Sequence, residues 1–308
     1  LAFQSAKGTI ANDFTASGAK AVWCSGAEID AGTDVESEEW ADSSLGPPAG
    51  GQWVRPDRPA GTIPVMATPT SLEWLLVSNY GAYSAPTFSL ATQIASDRWL
   101  TAAWVESVAS GSTENLVRLR DLWFHRLDIS GNGPQGRMMV EAQYAARAVA
   151  IQSLSGGGVT LPASPMSPSD KSPFPNAKIE IRRDPAGANV ALRWRAFRLT
   201  LDQGLAHEWD PAAFAFDVWK RGRLRAGLEV LCDWSDETWT VLTNARAKTA
   251  QTYRVKATAE DGSILTVDLH NVIFSVDRTG RNGMEYAPFR AVGQAAVSGS
   301  NFVSLSLT

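Results

Sequence analysis

RPAGTIPVMATPTSLEWLLVSN (residues 58–79) and RLRAGLEVLCDWSDETWTVLTN (residues 223–244) lie over one another without a gap at an offset of 165, and this pair decides the fold. Arg58 matches Arg223, Val65 matches Val230, Trp74 matches Trp239 and Asn79 matches Asn244. Each stretch passes from a strand-like run into a segment of helical spacing. SLEWLLVSN from Ser71 and SDETWTVLTN from Ser235 each open on a serine suited to cap a first turn, with an acid two places on. Two further blocks match in the same order. LRDLWFHRLDISGNG (119–133) lies over LHNVIFSVDRTGRNG (269–283) at an offset of 150, pairing Leu119 with Leu269, Phe124 with Phe274 and Asn132-Gly133 with Asn282-Gly283. Upstream, Asp30-Ala31-Gly32 and Glu39-Trp40 resemble Asp202-Gln203-Gly204 and Glu208-Trp209. Three blocks in register imply a duplicated unit.

Around these blocks the patterning has period two, which marks half-buried strands. KIEIRR puts Ile179 and Ile181 on one face, TYRVKA separates Tyr253 and Val255 from Arg254 and Lys256, and LTVDL and NFVSLSLT alternate likewise. The expected fold is mainly β: two tandem β-sandwich or barrel domains, each with a short helix. Leu154–Asn176 carries Gly156 to Gly158 and five prolines, which place the boundary there. The expected domains are 1–168 and 169–308. Lys and Arg against Asp and Glu number 10 against 16 in the first and 18 against 16 in the second, so the halves carry -6 and +2.

The whole chain of 308 residues is 44% hydrophobic and 19% charged, enough to bury a sizeable core. A net charge of -4 argues against a protein built to grip nucleic acid, which needs surplus Lys and Arg. Cys24 and Cys232 have no C-x-x-C spacing, so reduced, buried thiols are expected rather than a scaffold or zinc site. No apolar run has the length of a membrane span, and LAFQSAKGTIANDF does not read as a leader. Synthesis in the cytosol is the expectation. Twelve tryptophans imply a Trp-rich core or large interfaces.

Catalytic signatures are scarce. His125, His207 and His270 have no metal-ligand spacing, and the His207-Glu208-Trp209-Asp210 run has a counterpart, Glu38-Glu39-Trp40-Ala41, that lacks a histidine. Gly131-Asn132-Gly133-Pro134-Gln135-Gly136 fits G-x-G-x-x-G, but a pyrophosphate needs a helix next. MEYAPFRAVGQAAV has Pro288 and Gly293 inside the corresponding stretch, so strands around an Asn-Gly hairpin turn are expected instead. The acids from Glu28 to Asp42 lack the order of a calcium loop and suit a solvated or partner-facing loop. No enzyme, cofactor or metal is expected.

A duplicated β chain without a catalytic set resembles the tail tube (major tail) proteins of long-tailed, siphovirus-type bacteriophages. GTIPVMATPTSLEWLLVSNYG (61–81), RAFRLTLDQGLA (195–206), GRLRAGLEVLCDWSDETWTVL (222–242), LTVDLHNVIFSVD (265–277) and the terminal FVSLSLT carry the resemblance. The long inserts at 43–61 and 154–176 depart from it. The resemblance implies a β-sandwich or barrel with a flanking helix, whose sheets join across subunits around a channel. It also implies stacked rings forming a virion tail conduit for genome delivery, assembled in the host cytoplasm. Family rings usually hold six domains, so a two-domain chain implies a homotrimer with pseudo-sixfold symmetry, alternating its -6 and +2 halves. Implied partners are further copies of the chain, other tail proteins at the tube ends, and a tape measure protein and DNA that pass the lumen without tight binding. A wall of carboxylates and neutral polar groups would serve such passage.

Two sets of residues follow from this reading. Trp74 and Trp239 are expected to be equivalent buried anchors of the helices. The loops Asp34–Asp57 and His207–Lys220 are expected to reach the next ring, with Glu39, Trp40, Glu208, Trp209, Phe214, Phe216 and Trp219 as contacts. The competing expectation is a carbohydrate-binding or adhesin-like β-sandwich that presents tryptophan to sugars.

Overall fold

A computed structural model describes residues 1–5, 7–15, 19–22, 24, 28–30, 35–37, 52–54, 59–90, 99–107, 114–153, 158–160, 172–184, 191–210, 215–221, 224–278, 289–296 and 303–308. The chain is mainly β, with two helices, and an antiparallel sheet curls into a half-barrel. The first half runs β1 (Ala2–Phe3), β2 (Glu28–Asp30), β3 (Val35–Ser37), β4 (Gln52–Val54), β5 (Ala60–Met66), α1 (Pro69–Tyr80), β6 (Gly81–Ser84), β7 (Thr87–Leu90), β8 (Leu100–Ser107), β9 (Glu114–Asn132), β10 (Met139–Ala145) and β11 (Ala148–Ser153). The second runs β12 (Ile179–Arg183), β13 (Trp194–Asp202), β14 (Leu205–Asp210), β15 (Ala215–Arg221), β16 (Arg225–Cys232), α2 (Asp236–Arg246), β17 (Gln251–Thr258), β18 (Ile264–Arg278), β19 (Phe289–Gln294) and β20 (Val303–Leu307).

The halves repeat one another strand for strand. One layer has the order β2-β5-β10-β9 in the first half and β13-β16-β19-β18 in the second. In the other layer β8 and β11 flank the start of β9, as β17 and β20 flank the start of β18. Register follows the sequence offsets. Glu28, Ile29 and Asp30 face Thr62, Gly61 and Ala60, while Thr200, Leu201 and Asp202 face Gly227, Ala226 and Arg225. The hairpins β3–β4 and β14–β15 leave at the same point of each unit. Only the first half inserts the β6–β7 hairpin, which adds to β20 of the second.

Each long strand serves both layers because it bends. Asp121 in β9 and Asn271 in β18 have φ of 52°, in the left-handed region that Asp and Asn tolerate better than other L residues. They are matched residues in the offset-150 alignment. Asp121 is fully buried and accepts the Gly8 amide at 2.6 Å, with Arg147 3.9 Å away.

Both helices carry a capping box at the first turn, but the first starts earlier than the sequence suggests. Thr68 caps α1, with Pro69 following and Ser71 as the reciprocal partner, because proline's fixed φ suits a first helical position. Ser235 caps α2 as expected, through the Thr238 amide. Leu72, Leu75 and Leu76 are fully buried, and α1 is enclosed from Leu75 to Tyr80. In α2 only Thr238, Val241 and Leu242 are buried, as befits a surface helix with one apolar stripe. The main core lies between the layers and runs through both halves, from Val65 and Leu127 to Leu199, Val230 and Val267. Cys232 is buried in it, its thiol pushed up to about 12 by desolvation, whereas Cys24 is exposed, contrary to the expectation of two buried thiols.

Candidate assembly edges and the polar sheet face

The layer β2-β5-β10-β9-β13-β16-β19-β18 is continuous because β9 pairs antiparallel with β13, from Asn132 opposite Ala196 to Arg126 opposite Asp202. This seam joins the end strand of one unit to the first strand of the next. The Gly133 amide donates to the Arg195 carbonyl at 2.7 Å, and the Gln203 amide to the His125 carbonyl at 2.8 Å. Antiparallel bonding alternates, so odd-numbered β9 residues turn their backbone groups to β13 and even-numbered ones to β10. At the far ends, β2 pairs only with β5, and Ile273–Arg278 of β18 pair only with β19 among the described residues. The two open edges are those that form the seam within the chain, β2 standing for β13 and β18 for β9.

One face of this layer is core; the other is polar. In β13 Phe197, Leu199 and Leu201 point inward, while Arg198 and Thr200 alternate outward. Asp128 carries the seam's electrostatics. Its carboxylate is 1% exposed and accepts from Arg126 at 2.9 Å, from Arg198 at 2.8 Å and from the Thr200 hydroxyl. Desolvation pushes its pKa up, but the bonds from Arg198, Thr200 and Arg126 outweigh burial and hold it below the usual carboxylate range. Across the centre of the face Arg126, Arg198, Arg225 and Arg290 stand among Asp128, Glu141, Asp202 and Glu229. Arg290 meets Glu229 at 2.6 Å and Arg198 lies 3.7 Å from Glu141. A shallow depression of about 270 Å³ opens over β9, β13, β16 and β19. The face is charge-balanced rather than a wall of carboxylates.

Because Asp128 has a depressed pKa in the fold, the stability it contributes is present above its unfolded pKa of about 4 and is lost as pH falls through the folded value. Asp128→Ala is expected to cost about 1–3 kcal/mol at pH 7, as its partners Arg126 and Arg198 reach solvent at 33% and 45% exposure. Denaturant melts at pH 7 and pH 2.5 check this: the gap between wild type and variant should shrink in acid, and a constant gap would contradict it.

Trp74 is half-buried, its ring stacked on Phe3 at 4.2 Å and packed against the core. Trp239 is 54% exposed and tilts toward Trp234 at 6.1 Å. The expectation of two equivalent buried anchors is therefore corrected: the Phe3 ring covers Trp74, whereas more than half of Trp239 reaches solvent. Trp74→Ala is expected to lower stability by about 2–3 kcal/mol and Trp239→Ala by under about 1 kcal/mol, measured by urea melts. Equal losses would restore the equivalence.

Among the expected inter-ring residues, Glu208 and Trp209 lie in β14, and Phe216 and Trp219 in β15. The His207–Asp210 run is thus a strand, not a loop. Trp209 faces Phe216 in register, Glu208 faces Asp217, and Trp219 falls at the bulge between the Lys220 and Val218 pairs. Glu39, Trp40 and Phe214 lie outside the described residues. Gly131–Gly136 leads into strand β10, which removes the helix a dinucleotide would require. Asp128 and the seam were missed by sequence reasoning; the one signal was an aspartate at an alternating position of the longest strand. No protein-family model matches the chain, and no curated protein sequence matches it significantly.

Proposed function

We propose that the protein is a structural subunit that closes head to tail into rings and stacks into a hollow tube, the phage tail conduit that its sequence resembles. The observation that carries this reading is the β9–β13 seam. A unit that joins its own duplicate through these edges, and leaves the same two edges open at the ends, has the geometry to continue with another copy. Three chains supply six units, giving a pseudo-sixfold homotrimer. The polar face of the eight-strand layer then lines the channel, since the opposite face is occupied by core. Arginines held by carboxylates release few counterions to phosphate, so DNA and a tape measure protein pass without being gripped. Among the described residues no helix is long and apolar enough to cross a membrane. Negative-stain microscopy with mass measurement tests the reading: hollow rings or tubes with three chains per ring are expected, and a monomer at all concentrations would refute it.

Stacking is assigned to the hairpins that leave each unit at the same point. Trp209→Ser with Trp219→Ser is expected to leave rings that do not elongate, because a tryptophan pair can anchor a neighbouring pocket. Tubes of normal length from the double variant, seen by microscopy, would remove β14–β15 from the ring-to-ring contact.

A further inference from the structure

The two helix–strand junctions differ in one respect that the repeat does not explain. In the sheet, Arg126 faces Gln143, which faces Thr62, and Ile273 faces Gln294, which faces Gly227. Arg126 and Ile273 thus hold the same place, since Thr62 and Gly227 are matched. From the bend, β9 takes five steps to that place (121 to 126) and β18 takes two (271 to 273). The three additional residues are Trp123, Phe124 and His125. They fill the space beneath α1: the Trp123 indole donates to the Ser78 carbonyl at 3.1 Å, and the Asn79 amide donates to the carbonyls of Phe124 and His125, each at 3.0 Å.

The second unit lacks this filling. Between the end of α2 and the edge of β18 lies an open groove of about 520 Å³, lined by Leu242, Ala245, Arg246, Lys248 and Ile273–Val276. Ile273 is 44% exposed at its rim. Arg246 and Lys248 are exposed and make no ion pair among the described residues. The groove therefore has an apolar floor, two cations that make no ion pair among the described residues, and a strand edge as one wall.

We propose that this groove receives the acidic β2–β3 segment of a second copy of the chain. The inference rests on the self-assembly proposed above and names the contact that directs it. Three observations select this occupant. The groove is continuous with the open edge of β18, where the seam geometry places β2 of the next copy. In the seam within the chain, the backbone just beyond β13 closes onto β9 through the Gln203 amide, and the matched position beyond β2 begins the β2–β3 connection. Glu28 to Asp42 holds seven carboxylates and no base, opposite in charge to Arg246 and Lys248. Ile29 occupies in β2 the register position that the fully buried Leu201 occupies in β13. An apolar residue flanked by acids thus meets an apolar floor flanked by cations.

The seam also sets the pairing. Asp128 faces Thr200 without exchanging backbone hydrogen bonds, and their counterparts are Ser275 and Glu28 of the next copy. Such positions stand about 4.5 Å apart at Cα, close enough for a disulfide. The test uses the full chain with Cys24→Ser, Glu28→Cys and Ser275→Cys, oxidised and run on a non-reducing gel. A ladder of linked chains is expected, absent from either single-cysteine variant. In parallel, Arg246→Glu with Lys248→Glu should weaken self-association at least tenfold in sedimentation velocity. Adding Glu28→Lys, Asp30→Lys and Glu36→Lys to that chain should recover most of it. If the wild type sediments only as a monomer, the assembly reading fails and this inference with it. If the wild type forms rings but the cysteine pair gives no ladder and charge reversal changes nothing, the groove contact alone is overturned.

Discussion

Val276→Pro is expected to yield a folded monomer that no longer forms rings at concentrations where the wild type is fully assembled. Val276 faces Ala291, as Ile129 in β9 faces Val140. Ile129 belongs to the odd-numbered set whose backbone bonds to β13, so the Val276 amide is directed to the open edge rather than to β19. Proline there removes a donor that only another copy would use, and edge strands accept proline at such positions. Circular dichroism should show retained strand content, with sedimentation showing the loss of rings. Rings formed at wild-type concentration would exclude this edge from the assembly. The contrasting control is Ile129→Pro, which strikes the seam inside the chain and should unfold it.

Among side-chain truncations the largest expected loss of stability is at Trp123, where alanine should cost about 3–5 kcal/mol. The side chain is 1% exposed, clusters with Trp99 and Ala145, and satisfies the buried Ser78 carbonyl. Removing it opens a cavity beneath α1 and strands that carbonyl, two penalties that add. Guanidinium melts of Trp123→Ala and Trp123→Phe separate them: phenylalanine keeps most of the volume and loses the donor, so it should fall between wild type and alanine. A loss under about 1 kcal/mol for alanine would show that the space under α1 collapses without it.

The comparison of Trp123 with the α2 groove explains where the ungapped alignment stopped being a guide. Matching residues 119–133 to 269–283 correctly pairs the bends at Asp121 and Asn271, because both positions need a residue that tolerates positive φ. Beyond the bend the pairing of Phe124 with Phe274 fails in space. Leu127, not Phe124, shares the sheet position of Phe274, since the two face Ala142 and Gly293. Both choices keep an apolar residue facing inward, so alternation alone could not reveal a shift of three residues compensated by the His125 bulge. Trp239 misled for a related reason. It aligns with Trp74 without a gap, but Trp74 is covered by Phe3, which lies more than seventy residues away in the chain.

Local grammar is legible in the residues: mainly β structure from period-two alternation, a strand-to-helix unit present twice, the α2 cap at Ser235, and hairpin strands after Asn132-Gly133 rather than a phosphate-binding helix. These depend on contacts between near neighbours, which side-chain pattern and backbone preference encode directly. How the units meet is visible only in the folded chain. Alternation gives a strand two faces but says nothing of its edges, because every backbone offers the same donors and acceptors to any neighbour. The seam of β9 with β13, the burial of Asp128 between Arg126 and Arg198, and the open β2 and β18 edges follow from long-range pairing alone.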